Sequence, residues 1–102
     1  MGKHRDRLRI IAAILDACVS DTCKTRIMLQ ANLNFKLLEK YLDHVMRLGL
    51  LQLEGQTYSL TEQGRDFLND YRHFHNRYIN AQEWLKSLNS EYERLSRLCE
   101  NP

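Results

Sequence analysis

The sequence predicts a mainly α-helical fold that contains one short β-hairpin and ends in one long helix. Apolar residues recur with helical spacing over most of the chain, and four-residue runs typical of strands occur only within residues 50–60. No proline interrupts any helix, since Pro102 is the only one. A chain of 102 residues is long enough for one domain and too short for two independent cores.

Three helices are expected in the first half of the chain. Residues 5–19 carry an apolar stripe, and a short helix follows from about Lys24 to Gln30. Asn34 is a suitable N-cap for a third helix that runs to about Leu48 and is stopped by Gly49. The predicted buried face of this third helix comprises Leu37, Leu38, Tyr41, Leu42, Val45 and Met46.

A hairpin and a long helix complete the predicted fold. Two strand-like runs, 50–53 and 57–60, flank Gly55, which tolerates the positive φ of a tight turn. Thr61 is placed to cap the last helix, and Glu62 lies in its first turn, where the helix dipole favours an anion. Three helices followed by a two-stranded hairpin is the winged helix-turn-helix arrangement, in which the third helix enters the DNA major groove.

Composition excludes several classes of protein. No apolar run approaches the length of a membrane span, and no secretory signal precedes the first helix, so a cytoplasmic location is expected. Three cysteines without a nearby histidine pair are expected to be reduced thiols rather than metal ligands, and Cys18 is expected to pack as a small hydrophobe.

Positive charge is concentrated in the first part of the chain. Residues 1–60 hold nine Lys or Arg against six Asp or Glu, whereas residues 61–102 hold six against seven. A helix that enters a DNA groove needs cations for phosphates and polar groups near its N-terminus for base edges. The third helix offers these candidates: Asn34, Lys36, Lys40, His44 and Arg47. Candidates at the second helix, the hairpin tip and the N-terminal arm are Lys24, Arg26, Gln56, Lys3, Arg5 and Arg7.

Two alternatives to DNA binding stay open at this point. The third helix could present an ordinary solvated face, with Glu39 and Asp43 paired to basic residues of the same helix. Winged helices also serve as protein–protein interaction modules, in which case the first domain, residues 1–61, would dock a partner protein. Phe35 is expected to be partly buried rather than exposed.

The last helix carries a coiled-coil pattern. Apolar residues alternate at spacings of four and three over four heptads, with Trp84 flanking the centre. A first domain of residues 1–61 cannot cover a helix over residues 62–100, which at about 1.5 Å per residue is nearly 60 Å long. A helix folded back on its own domain would need a glycine or proline break after Gly64, and none occurs, so a homodimer is expected. The predicted dimer interface is Phe67, Tyr71, Phe74, Tyr78, Ala81, Trp84, Leu85, Leu88, Tyr92, Leu95 and Cys99.

Charge favours an antiparallel dimer. An antiparallel pair centred near Trp84 sets Arg77 opposite the partner's Glu91, twice by symmetry. In a parallel pair Arg77 would face Gln82, and the two copies of Cys99 would stack. Surface ion pairs contribute only a few tenths of a kcal/mol, so the preference is small.

The residues that carry a family resemblance are the runs 24–28, 31–35, 49–51 and 58–61, together with Gly64. In these runs the chain resembles small archaeal winged-helix DNA-binding proteins, including the ten-kilodalton chromatin-associated proteins of Sulfolobus. The resemblance implies an antiparallel coiled-coil homodimer that binds double-stranded DNA in the nucleoid. By position, it implicates Lys24, Thr25, Arg26, Asn34, Phe35 and Lys36 in binding.

The chain departs from this family at the hairpin tip and at the start of the last helix. Gln56, Glu62 and Gln63 stand where family members tend to have lysine, so both an architectural and a site-specific regulatory role remain open. No nucleophile with its base, phosphate-binding glycine loop or metal-ligand cluster is recognisable. The protein is therefore not expected to be an enzyme, and no cofactor or small-molecule ligand is expected.

Overall fold

The computed structural model describes residues 2–100, with side chains described from Arg7 onward. The elements are α1 (Gly2–Ala17), α2 (Lys24–Gln30), α3 (Phe35–Arg47), β1 (Leu51–Glu54), β2 (Thr57–Leu60) and α4 (Glu62–Glu100). The predicted fold class and order of elements are confirmed. The first helix ends two residues before the predicted limit, and β1 begins one residue later than expected.

The core lies between α1, α2, α3 and the hairpin. Its innermost side chains include Ile14, Leu15 and Ile27, none of which has any solvent exposure. Cys18 is equally buried, which confirms that it packs as a small hydrophobe. Burial raises the pKa of the Cys18 thiol to about 12, because desolvation disfavours the thiolate.

Local capping fixes the turn between α2 and α3. Asn32 adopts a positive φ of 56°, which asparagine tolerates better than most residues. The Leu37 N–H donates to Oδ1 of Asn34 over 2.8 Å, which confirms the predicted N-cap of α3. At the other end Gly49 has φ 76°, the left-handed conformation that ends a helix.

Two predicted burials at the start of α3 are wrong. Phe35 is 59% exposed and Leu37 is 37% exposed. The buried stripe of α3 begins at Leu38, one turn into the helix, and continues through Tyr41, Leu42 and Val45. Phe35 and Leu37 precede that stripe, so the first turn of α3 presents apolar side chains to solvent.

The hairpin, which we call the wing, is tied to the start of α2. Its strands pair from Leu51 with Leu60 to Glu54 with Thr57, which leaves the two-residue turn Gly55-Gln56. Gly55 has the predicted positive φ, 62°. Thr22 forms an isolated bridge with Tyr58, in which the two N–H groups donate to the opposite carbonyls over 3.0 and 2.7 Å. This bridge fixes the wing beside the first turn of α2.

The first turns of α4 belong to the core. The Thr61 hydroxyl accepts from the Gly64 N–H over 3.0 Å and donates to the Gly49 carbonyl, so the predicted cap also joins α4 to the end of α3. Leu68 is buried with the other core residues. The Cα packing divides the chain between Tyr71 and Arg72, and we call the first unit the head.

Gly64 allows α4 to approach the backbone of Leu50, which connects α3 to β1. A Cβ at this position would overlap the Leu50 carbonyl oxygen. Gly64→Ala is therefore expected to destabilise the head by about 3 kcal/mol and to lower Tm by roughly 15 °C in thermal unfolding followed by circular dichroism. Gly55→Ala is the control, because open space surrounds Gly55 and only its φ is strained, at a cost of about 1 kcal/mol. A Gly64→Ala variant as stable as the wild type would contradict the close approach.

The second unit is the remainder of α4, a continuous helix. Large apolar side chains along it are exposed, including Trp84 at 69% and Tyr92 at 72%. Phe74 and Tyr78 are one turn apart, with ring centroids separated by 5.9 Å. Across the described residues, no helix is long and apolar enough to cross a membrane.

Candidate nucleic-acid interface

A cleft in the head separates the start of α2 from the wing. Lys24 and Thr25 line one side, and Gly55, Gln56 and Tyr58 line the other, around a volume of about 310 Å³. The structure therefore brings together Lys24, Thr25 and Gln56, which the sequence analysis selected from distant parts of the chain. Tyr58 also lines the cleft, and it was not among the residues predicted from the sequence.

Lys24 links α2 to the exposed face of α3. Its Nζ donates to Glu39 Oε2 over 2.5 Å and lies 5.4 Å from the centroid of the Phe35 ring. Both partners of the ion pair are partly exposed, with 38% of the Lys24 side chain and 46% of the Glu39 side chain accessible. The hydrogen bond with Glu39 raises the pKa of the Lys24 ammonium, so Lys24 stays charged at neutral pH.

The exposed face of α3 carries a stripe of cations. Lys36 and Lys40 are four residues apart and share one side of the helix. Within the described part of the chain neither forms an ion pair, although Nζ of Lys40 lies 5.8 Å from the Tyr41 ring centroid. His44 and Arg47 continue the exposed face, so it extends about 16 Å along the helix.

The ion pairs on α3 agree only in part with the solvated-face alternative. Arg47 Nη2 lies 3.1 Å from Asp43 Oδ2, the spacing of four that this alternative predicts. The expectation that Glu39 pairs within α3 is wrong, because its carboxylate binds Lys24 of α2. The two ends of the stripe therefore differ: Lys36 and Lys40 form no ion pair with any described residue, whereas Arg47 is paired with Asp43.

The other predicted DNA-binding residues are not among those that line the cleft. Asn34 is exposed, but its Oδ1 is engaged in capping α3, which leaves its amide NH₂ as the group available to a ligand. Arg26 is exposed on α2, and Arg7 is exposed on α1. The side chains of Lys3 and Arg5 lie outside the described residues.

The arrangement is suited to binding a polyanion with a regular backbone. The Lys36 and Lys40 ammonium groups on α3 and the Arg26 guanidinium on α2 can contact phosphates, and the Asn34 amide, Thr25 hydroxyl and Gln56 amide can hydrogen-bond phosphates or base edges. No group of three His, Cys, Asp or Glu able to hold a metal ion occurs among the described residues.

Comparisons with known proteins agree with this geometry. The model of the winged helix-turn-helix family matches residues 4–79. The crystal structure of Sso10a-2, a DNA-binding protein from Sulfolobus solfataricus, is similar with a TM-score of 0.61 and 26% sequence identity, and the match covers 79% of this chain and 93% of that chain. No curated protein sequence matches significantly. The resemblance to archaeal winged-helix DNA-binding proteins is thereby confirmed.

Proposed function

Because the chain belongs to the winged helix-turn-helix family, we propose that it binds double-stranded DNA through α3, the start of α2 and the wing. The observation that supports the proposal is the pair of lysines, Lys36 and Lys40, which form no ion pair with the described residues and lie on the exposed face of the helix that this family places in the major groove. The similar structure is that of a DNA-binding protein, which supports the same function.

Each part of the interface has a distinct role in this proposal. Lys36 and Lys40 contact neighbouring phosphates along one edge of the groove, and the Asn34 amide reaches base edges from the first turn of α3. Thr25 and Gln56, on opposite sides of the cleft, contact the adjacent backbone. Such a protein acts in the nucleoid, either as an architectural protein or as a transcriptional regulator.

Titration of a labelled random-sequence duplex tests the proposal. We expect fluorescence anisotropy to report binding at 50 mM salt that weakens steeply as salt rises, because each phosphate contact contributes about −0.9 to the log–log slope. Comparison with duplexes selected from a random pool separates the two roles: similar affinities indicate an architectural protein, and a large preference indicates a regulator.

A second candidate function is docking of a partner protein. The exposed apolar side chains of Leu29, Phe35 and Leu48 on the head favour it. A docking head would bind neither random nor selected duplexes at low salt, so the same titration distinguishes the two functions.

We further propose that α4 joins two copies of the chain in an antiparallel coiled coil. The alternating apolar residues of α4 that include Leu85, Leu88 and Leu95 are exposed in the single chain, and a second copy would cover them. Centring the pair near Glu83 and Trp84 sets Tyr78 against the partner's Leu88 and Ala81 against the partner's Leu85. In these two layers a larger side chain meets a smaller one across the interface.

The orientation of the dimer predicts how Cys99 behaves. In the antiparallel register the two copies of Cys99 lie about 45 Å apart, at about 1.5 Å per residue on either side of the centre. Mild oxidation is therefore expected to leave them unlinked, as judged by non-reducing gel electrophoresis of a Cys23→Ser variant. Quantitative disulfide-linked dimer at low protein concentration would indicate a parallel pair instead.

A further inference from the structure

Among the residues whose side chains the structure describes, Glu39 is the acidic residue of α3 that binds a cation on another helix. Its partner, Lys24, is 15 residues away in sequence, and the ion pair joins the first residue of α2 to the second turn of α3. The pair lies beside Phe35, whose ring faces the same ammonium group. This contact therefore spans the two helices that the proposed interface uses.

We propose that Glu39 is a positioning residue that holds Lys24 out of contact with phosphate and thereby lowers the affinity of the head for DNA of arbitrary sequence. The inference rests on the proposed DNA-binding function. Glu39 itself does not bind phosphate, and its proposed role is to control the position of Lys24.

Lys24 differs from the neighbouring cations in how strongly it can attract a phosphate. A phosphate that approaches Lys36 or Lys40 meets an ammonium group that is not paired to any described residue, whereas one that approaches Lys24 also meets the Glu39 carboxylate. Phosphate must then displace Glu39 and leave its charge next to the DNA backbone, where like charges repel. Lys24 consequently contributes little to sequence-independent binding.

Because both side chains remain partly accessible to water, the ion pair itself is weak and reversible. Its effect on binding is therefore modest, and corresponds to about one phosphate contact that Lys24 does not make while it is bonded to Glu39. The ring of Phe35 limits where the ammonium can go, because the cation–π contact holds it on the same side.

Glu39→Gln tests the inference, because it keeps the shape of the side chain and removes its charge. We expect the variant to bind a random-sequence duplex more tightly and to gain about one phosphate contact, so that its log–log salt slope steepens by about 0.9. The ratio of variant to wild-type affinity should then grow about threefold as salt falls from 200 to 50 mM. Glu93→Gln is the matched control, because Glu93 is exposed on α4 outside its alternating apolar residues and the change removes the same charge.

The role of Lys24 is isolated by repeating the substitution in a Lys24→Met background. If Glu39 acts by holding Lys24, Glu39→Gln changes the salt slope in the wild-type background and leaves it unchanged without Lys24. An equal steepening in both backgrounds would show that Glu39 acts as a simple repulsive charge, and would overturn the inference. An unchanged slope in the wild-type background would overturn it as well.

The outcomes also separate this inference from the proposed function. If binding depends on Lys36 and Lys40 while Glu39→Gln has no effect, the inference alone fails. If neither the wild type nor any variant binds duplex at 50 mM salt while circular dichroism shows them folded, the proposed function fails and the inference with it.

Discussion

Replacing both Lys36 and Lys40 with alanine is expected to weaken binding to a random-sequence duplex on the order of 100-fold at 50 mM salt. The two side chains are exposed on α3 and carry no ion pair in the described part of the chain, so their full charge is available to phosphates. Each phosphate contact contributes about −0.9 to the log–log salt slope, so it raises the affinity roughly tenfold when salt falls from 1 M to 0.05 M. The variant loses two such contacts. Fluorescence anisotropy measures both the affinity and the reduced slope.

A charge-matched control separates this local effect from net charge. Lys86→Ala/Arg94→Ala removes two cations from exposed positions of α4 that lie outside its alternating apolar residues. We expect this variant to bind the duplex within about twofold of the wild type and to keep its slope. If the α3 variant bound as tightly as this control, the exposed face of α3 would not be the interface.

Leu85→Asp is expected to convert the proposed dimer into a monomer. Leu85 is 56% exposed in the single chain, and the antiparallel register places it near the centre, against the partner's Ala81. Two aspartates per dimer would lose hydration there without any cation to pair with. A combined cost of about 4 kcal/mol raises the dissociation constant roughly a thousandfold. Sedimentation equilibrium at micromolar concentration measures the change.

The control for this variant introduces the same charge on the opposite side of α4. Ser90 is exposed and lies farthest from the apolar seam in the heptad pattern, so Ser90→Asp should leave the dissociation constant unchanged within about threefold. A Leu85→Asp variant that sediments as the wild type does, with both as dimers, would place the self-association surface elsewhere. A monomeric wild type would contradict self-association altogether.

Features set by short-range chemistry were predictable from the sequence. The Asn34 cap, the positive φ of Gly49 and the Thr61 cap each depend on a side chain or backbone within a few residues, and the structure contains all three. The exposure of Lys36 and Lys40 follows from helical spacing alone.

Features that depend on tertiary contact were not predictable in this way. Helical spacing does not show where the core ends, so Phe35 was expected to be partly buried although the buried stripe of α3 begins at Leu38. The Thr22–Tyr58 bridge consists of one residue pair and leaves no periodic pattern. A charge at position 39 has several neighbours at helical spacing, and nothing local distinguishes Lys24 as its partner.

Mapping the DNA contacts on the protein shows whether DNA binds through α3, the start of α2 and the wing. In a ¹H–¹⁵N TROSY titration with an unlabelled duplex at low salt, we expect the largest shift changes in the first turn of α2, along α3 to Arg47 and at Gly55-Gln56. Changes confined to α4, or no change at duplex concentrations above that of the protein, would contradict binding of DNA through the winged-helix face.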